Sequence, residues 1–311
     1  MKEHKGANSF ISERQTVVTI GTFDGVHAGH RKIIERLVNS ANANNLDSVV
    51  LTFFPHPRMV LQKESGIQLI NTIEERKKLL EETGIDHLVV HPFTHQFSRL
   101  TALEFVRDIL VNKLRAKKII IGYDHRFGRN RTADINDLKQ FGKEFGFDVE
   151  EISQQDVEQV AVSSTKIRNA LLEGRVERAN IYLEKPFMLN GTIVKGRGIG
   201  KDLGFPTANL EIEEDYKLIP KNGVYVVSTS IDGEKVYGMM NIGTNPTVGG
   251  KEKTIEANFF EIDKDLYGKK LEIQMLVRIR DEKKFDSVDD LKIAMKQDRA
   301  FSQQYIKDNY A

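Results

Sequence analysis

Apolar positions along this chain follow two different periods, and the change between them divides it. From Thr16 to about Leu183, short β-rich apolar runs alternate with stretches in which apolar residues recur every three or four positions. The runs predict strands at Thr16 to Ile20, Ser48 to Phe53, His87 to His91, Lys118 to Ile121 and Phe147 to Ile152. The longer periodic stretches predict helices at Gly29 to Asn44, Ile73 to Glu82, Ala102 to Leu114, Ala133 to Phe145 and Ser164 to Glu173. Thr72 with Glu75 and Thr101 with Glu104 have capping-box spacing, which marks two of the helix starts. Strand and helix in strict alternation predict an α/β unit with a doubly wound parallel sheet.

After Glu184-Lys185-Pro186 the runs are separated by Gly, Pro, Asn and Asp turns. Strands are expected at Phe187 to Val194, Val224 to Ser230, Lys235 to Ile242, Thr254 to Phe260 and Leu271 to Arg280, and one long helix from about Val288 to Tyr310. That pattern predicts an antiparallel β-barrel or sandwich closed by a C-terminal helix. The expected domains are therefore 1–184 and 185–311, each long enough to bury a core of its own.

Composition removes several function classes. The 311 residues include no cysteine, which excludes disulfides, thiolate metal sites and cysteine nucleophiles. The 46 Lys and Arg against 45 Asp and Glu leave a net charge of +1, without the basic surplus of a nucleic-acid binder. No apolar run approaches the length of a membrane span, and the opening residues lack the apolar segment of a signal peptide, so the cytoplasm is the expected compartment. All eight histidines lie at or before His125, so a base in the second half must be a carboxylate, lysine or tyrosine.

The most informative segment is Thr16-Val-Val-Thr-Ile-Gly-Thr-Phe-Asp-Gly-Val-His-Ala-Gly-His30, in which the first strand runs into a glycine-rich turn. His27 and His30 stand where the next helix begins, and a helix N-terminus offers free N–H groups and a positive dipole end to phosphate. Two imidazoles there can donate hydrogen bonds to phosphate oxygens as charge builds. A strand-to-helix turn with two surface histidines is the plainer reading. Val162-Ser-Ser-Thr-Lys-Ile-Arg168 adds hydroxyls at a helix start, which cap that helix or hold phosphate, with Arg168 one turn on. Phe53-Phe-Pro-His-Pro-Arg58 and Gly122-Tyr-Asp-His-Arg-Phe-Gly128 each follow a predicted strand, where loops reach the same crevice.

His27-Ala-Gly-His30 resembles the signature of the HIGH nucleotidyltransferase superfamily. Together with Ser163, Ser164, Thr165 and Arg168 and the two loops, the segment resembles the adenylyltransferase module of bacterial bifunctional riboflavin kinase/FAD synthetases. The resemblance implies catalytic roles for His27, His30 and Arg168, and ATP contacts at Gly21, Thr22, Phe23, Asp24, Ser163, Ser164 and Thr165. It also implies flavin or acceptor contacts at Phe54, His56, Arg58, Asp124 and Arg126. Thr22 stands where family members often have Asn, and His125 where they often have Phe.

In the second half, Lys195-Gly-Arg-Gly-Ile-Gly-Lys-Asp-Leu-Gly204 is a flexible basic loop suited to closing over phosphates. It is not a Walker A loop, because Lys195 replaces the first glycine and Asp202 the final Ser/Thr; nor is it a dinucleotide fingerprint, since no helix follows. Phe205-Pro-Thr-Ala-Asn209 then places a hydroxyl and an amide oxygen two residues apart, on the same side of an extended chain, where they can share one Mg2+ with ATP. This segment resembles the Pro-Thr-Ala-Asn motif of riboflavin kinases. By that resemblance Thr207 and Asn209 hold metal and nucleotide, Gly196, Gly198 and Gly200 bind ATP, Glu256 is the catalytic base and Arg280 helps cover the flavin.

The implied activities are phosphorylation of riboflavin to FMN by ATP in the C-terminal domain, and adenylylation of FMN to FAD with release of pyrophosphate in the N-terminal one. Mg2+ is the implied cofactor; ATP, riboflavin, FMN and FAD are substrates and products. Three other readings stay open: an adenylyltransferase for another phosphorylated acceptor, a flavin-binding regulator without activity, and an RNA-binding barrel, against which the C-terminal net charge of −1 argues. Oligomeric state is not legible.

Overall fold

The computed structural model describes residues 1–62, 66–123, 125–152, 162–196, 204–247, 250–262 and 264–310. It separates into two compact units, Met1–Ser164 and Thr165–Ala311.

The first unit is a six-stranded sheet of β1 (Lys2–His4), β2 (Thr16–Ile20), β3 (Asp47–Phe53), β4 (His87–His91), β5 (Ala116–Gly122) and β6 (Asp148–Ile152). The spatial order is β1-β4-β3-β2-β5-β6, with every neighbouring pair parallel. From β2 the chain winds outward to β3 and β4, then returns to the other flank of β2 to place β5 and β6. The C-terminal end of β2 is therefore the switch point, where adjacent connections diverge and leave a crevice. All five residues of β2, Thr-Val-Val-Thr-Ile, are buried, as a central parallel strand covered on both faces requires.

The connecting helices are α1 (Ala28–Ala43), α2 (Pro57–Leu61), α3 (Ile73–Glu81), α4 (Ala102–Glu104) and α5 (Ile135–Phe145). Both expected capping boxes form, with Thr72 Oγ1 accepting from Glu75 N at 3.1 Å and Thr101 Oγ1 from Glu104 N at 3.2 Å. Asp134 with Asp137 makes a third, using an aspartate where the usual pattern has glutamate. The helix expected over Ala102 to Leu114 differs in kind: after α4 the chain continues as a π-helix, Phe105–Val111. Strand β1 is too short and polar to show a period. It is held by geometry instead, with the His4 and His87 rings hydrogen-bonded at 2.9 Å and His87 Nε2 donating to Asp47 Oδ2 at 3.3 Å.

The second unit contains α6 (Ser164–Leu172), apart from its first residue, α7 (Val176–Leu183) and a closed antiparallel barrel. Its strands are β7 (Phe187–Val194), β8 (Ala208–Glu211), β9 (Gly223–Ile231), β10 (Glu234–Thr247), β11 (Gly250–Phe259) and β12 (Lys270–Arg280), in the order β10-β11-β8-β7-β12-β9. Helix α8 (Val288–Tyr310) follows. The compact units thus divide ahead of the change in texture at Lys185. The physical reason is that α6 and α7 bond to the barrel side: Asn180 Nδ2 donates to the Met275 carbonyl at 2.8 Å, Asn180 Oδ1 accepts from Phe187 N at 2.7 Å, and the Leu171 carbonyl accepts from Lys221 N at 3.1 Å.

Tyr305 and Ile306 of α8 pack on Val226, Leu276 and Val277, and the helix is pinned by a bidentate ion pair. Arg280 Nε and Nη2 donate to Asp298 Oδ1 and Oδ2 at 2.9 and 2.7 Å, and Asp298 is 4% exposed. Removing one partner strands the other charge in a poorly solvated place. Asp298→Ala should destabilise the second unit by about 3 kcal/mol, read as a lower urea midpoint; an unchanged midpoint would contradict this role for the pair.

Candidate active sites

At the end of β2 the chain enters a turn that few residue types would adopt unaided. Phe23 (φ 49°) and Val26 (φ 40°) lie in the left-handed region beside Gly25 (φ 93°), and a β-branched residue there is strained. Neighbouring segments hold the conformation. Gly21 N donates to the Leu51 carbonyl at 3.1 Å, and Thr52 Oγ1 donates to the Thr22 carbonyl at 3.2 Å. The Asp24 carboxylate accepts from the backbone N–H of Ile70 at 2.9 Å and of Asn71 at 3.3 Å. Ser164 Oγ donates to the Asp24 carbonyl at 2.8 Å. Asp24, expected as an ATP contact, is 1% exposed and braces the turn against the start of α3.

The turn delivers His27 as the N-cap of α1, its Nδ1 accepting from His30 N at 3.4 Å. The His27 and His30 rings stack with centroids 3.7 Å apart and planes within 17°, and Phe23 stands edge-on to His30 at 5.1 Å. Gly29 leaves room for the stack, because a Cβ there would meet the His27 ring at 3.3 Å. Because Nδ1 of a neutral His27 is an acceptor, its proton sits on Nε2, which is left to donate.

Both imidazoles are held neutral. Burial lowers the His27 pKa to about 4 against the opposing pull of Asp24. Burial also pushes His30 well below its ordinary value, assisted by His27 and by the guanidinium of Arg76. Arg76 was not picked out by the sequence reading. Within Glu-Glu-Arg-Lys-Lys nothing but helical phase distinguishes it: three and four residues before Leu79 and Leu80, it falls on the buried face of α3.

The remaining expected residues take varied positions. His56 is buried and caps α2, its Nδ1 accepting from Arg58 N at 3.1 Å, while Phe54 is half-buried and Arg58 exposed. Arg126 pairs at 3.3 Å with Asp134, the residue that caps α5. The His125 ring lies 6.2 Å from that of Phe127. Ser163 and Thr165 are exposed at the start of α6, and Arg168 is half-buried one turn further along that helix. Asp124, Gly198 and Gly200 lie outside the described residues.

In the barrel, Thr207 immediately precedes β8, and Asn209 pairs across the ladder with Glu256 of β11. Directly paired residues of antiparallel strands share a face, as do residues two apart on one strand, so Thr207, Asn209 and Glu256 present their side chains together. Thr207 Oγ1 donates to Glu256 Oε2 at 3.3 Å. Gly196 is required here because a Cβ at that position would come within 2.0 Å of Asn209 Nδ2. Asn258 Nδ2 donates to the Pro206 carbonyl at 2.8 Å and anchors the segment from the next position on the same face of β11. Asn241 of β10 flanks Glu256 on the other side. Arg280, at the end of β12, donates to both carboxylate oxygens of Asp298.

One unit with two stacked imidazoles at a helix start on the switch point of a parallel sheet, and another with a barrel carrying a hydroxyl, amide and carboxylate on one face, fit a two-unit phosphotransfer enzyme. The family described as FAD synthetase matches residues 10–166, and that described as riboflavin kinase matches residues 183–306. The bifunctional riboflavin kinase/FMN adenylyltransferase of Escherichia coli K12 is 35% identical over 93% of this chain and 92% of its own length. The protein of the same description from Buchnera aphidicola of Schizaphis graminum is 36% identical over 94% of each. A crystal structure of a Streptococcus pneumoniae protein described as a macrolide-efflux protein superposes with TM-score 0.88, at 33% identity over 100% of this chain and 99% of that one. Among the described residues of this chain, no helix is long and apolar enough to cross a membrane.

The chain belongs to the bifunctional riboflavin kinase/FMN adenylyltransferase family. Its N-terminal part is the FAD synthetase domain and its C-terminal part the riboflavin kinase domain, with ATP, riboflavin and FMN as substrates.

Because folded His27 titrates near 4, it refuses a proton that its unfolded counterpart, with a pKa of about 6.5, accepts. The stability His27 contributes is complete above that unfolded value and is lost as the pH falls from there toward 4. Histidine-resolved NMR should show His27 neutral at pH 5.5 and titrating near 4, whereas titration at the ordinary value would contradict the burial argument.

Proposed function

We propose that the two activities are carried by separate sets of side chains, with the functional domains meeting between residues 184 and 185. The observation that supports separate sets of side chains is that the stacked His27–His30 pair lies in Met1–Ser164 and the Thr207–Asn209–Glu256 cluster in Thr165–Ala311.

In adenylyl transfer, a phosphate oxygen of FMN attacks the α-phosphorus of ATP, a new P–O bond forms, and the bond to the β-phosphate oxygen breaks to release pyrophosphate. Both partners are polyanions, so donors and positive charge in the right places do most of the work. His27 Nε2 and the His30 ring donate to the phosphates, the N–H groups opening α1 add their dipole end, and Ser163, Thr165 and Arg168 hold the nucleotide. Gly21, Thr22 and Phe23 shape the turn against which it lies. The loops bearing Phe54, Arg58, Asp124 and Arg126 receive the flavin mononucleotide.

In the kinase reaction, the ribityl 5'-hydroxyl attacks the γ-phosphorus and ADP leaves. Glu256 takes the hydroxyl proton, with Thr207 and Asn209 beside it. Thr207 Oγ1 and Asn209 Oδ1 are hard oxygen donors and fit Mg2+, which binds proteins through few side chains plus phosphate oxygens. When bound, that ion neutralises charge on the nucleotide phosphates. Gly196, Gly198 and Gly200 let the basic loop approach the same phosphates. Two ATP-consuming steps suit a cytoplasmic enzyme.

The division is tested by two variants of the full chain. His30→Ala should lower FAD formation by at least about a hundredfold while FMN still accumulates. Glu256→Gln should block riboflavin phosphorylation to a similar degree and spare adenylylation of supplied FMN. Equal loss of both activities in either folded variant would overturn the assignment.

A further inference from the structure

Arg76 is the bulkiest side chain completely withdrawn from solvent among the described residues. A guanidinium keeps its proton in proteins, so its burial places a permanent positive charge in a region of poor screening.

Its position follows from bonds already described. The Asp24 carboxylate takes the N–H groups of both Ile70 and Asn71, which joins the segment entering α3 to the phosphate turn. Glu75 Oε2 then accepts from Thr72 N at 3.0 Å and from Asn71 Nδ2 at 3.3 Å, closing the cap from which α3 starts. Arg76 is the next residue and points inward with Leu79 and Leu80. The charged or titratable groups acting on His30 are His27, at the start of α1, and Arg76, from α3; Asp24, in the turn, acts on His27.

We propose that Arg76 is a positioning residue for adenylyl transfer, a fixed cation buried on the helix whose entry Asp24 ties to the turn that carries His27. The proposal rests on the assignment of His27 and His30 made above. Two effects follow. Burial is the main cause that holds His30 neutral, and after His27 the Arg76 cation works in the same direction, so the His30 proton count stays constant across the working pH range. The same charge adds positive potential where a triphosphate must dock.

The full-length protein with Arg76→Met or Arg76→Lys tests this, with FAD formation from FMN and ATP followed from pH 5 to 9 and riboflavin phosphorylation as the control in the same chain. Arg76→Met should lose about tenfold or more in FAD formation at neutral pH. The acid limb of its profile should move to higher pH, because His30 without the cation accepts a proton more readily. Arg76→Lys keeps the charge and should keep the acid limb near that of the parent. Riboflavin phosphorylation should be unchanged in both. An Arg76→Met profile that falls uniformly or not at all, with an unmoved acid limb, would overturn the proposal. Should that variant fail to fold, Arg76→Gln in the same assay decides: an acid limb moved to higher pH supports the proposal, and an unmoved limb overturns it. If His30→Ala still makes FAD, the site assignment fails; if His30→Ala is inactive while Arg76→Met keeps the parental profile, only the Arg76 inference fails.

Discussion

The turn from Gly21 to Val26 keeps its left-handed residues in place only because β3, the entry to α3 and the start of α6 all bond to it. The placement of the two stacked imidazoles is downstream of that constraint. It sets where α1 begins, which imidazole caps the helix, and how His30 stacks on it. The strain of Phe23 and Val26 is stabilised by these surroundings rather than relieved, the usual state of a turn that must present backbone and side chains to a ligand. Asp24 is central to the bracing, since its carboxylate and its carbonyl each join a different segment to the turn.

The second unit reaches an equivalent end by a different device. Among the described residues, ladder register rather than a strained turn carries its cluster. One residue of slip between β8 and β11 would turn Asn209 or Glu256 to the opposite face and dissolve the constellation. The Asn258 bond to the Pro206 carbonyl and the close fit of Gly196 against Asn209 help hold that register beside the loop. Arg280 acts one step further away, tying the end of β12 to α8.

What could be read from the sequence follows from which forces are local. Long apolar periods gave β2, β4, β7 and α8 their places closely, and the two threonine capping boxes marked α3 and α4 to the residue. Strands β1 and β8 were not legible: one is a polar tripeptide held by His4 and His87, the other four residues whose identity depends on partners far along the chain. The placement of α6 and α7 with the barrel depends on tertiary bonds such as that of Asn180, which leave no periodic trace. At the sites, residue types and spacing singled out His27, His30, Thr207 and Asn209, whereas Glu256 entered through the family resemblance. Sequence did not reveal that Asp24 would serve as a brace, His56 as a cap or Arg280 as half of a buried ion pair, since each of those uses is decided by a partner elsewhere. Arg76 lay between the two cases, detectable by helical phase but masked by the charged residues around it.

The central claim is that one chain carries out two successive reactions at two distinct sites, and a time course addresses it most directly. Purified protein is incubated with riboflavin, ATP and Mg2+, and riboflavin, FMN and FAD are separated chromatographically at intervals. The account predicts that FMN rises first and then declines as FAD accumulates, with pyrophosphate released in step with FAD. FAD appearing with no FMN phase under any enzyme concentration, or FMN accumulating without conversion when ATP is in excess, would contradict it.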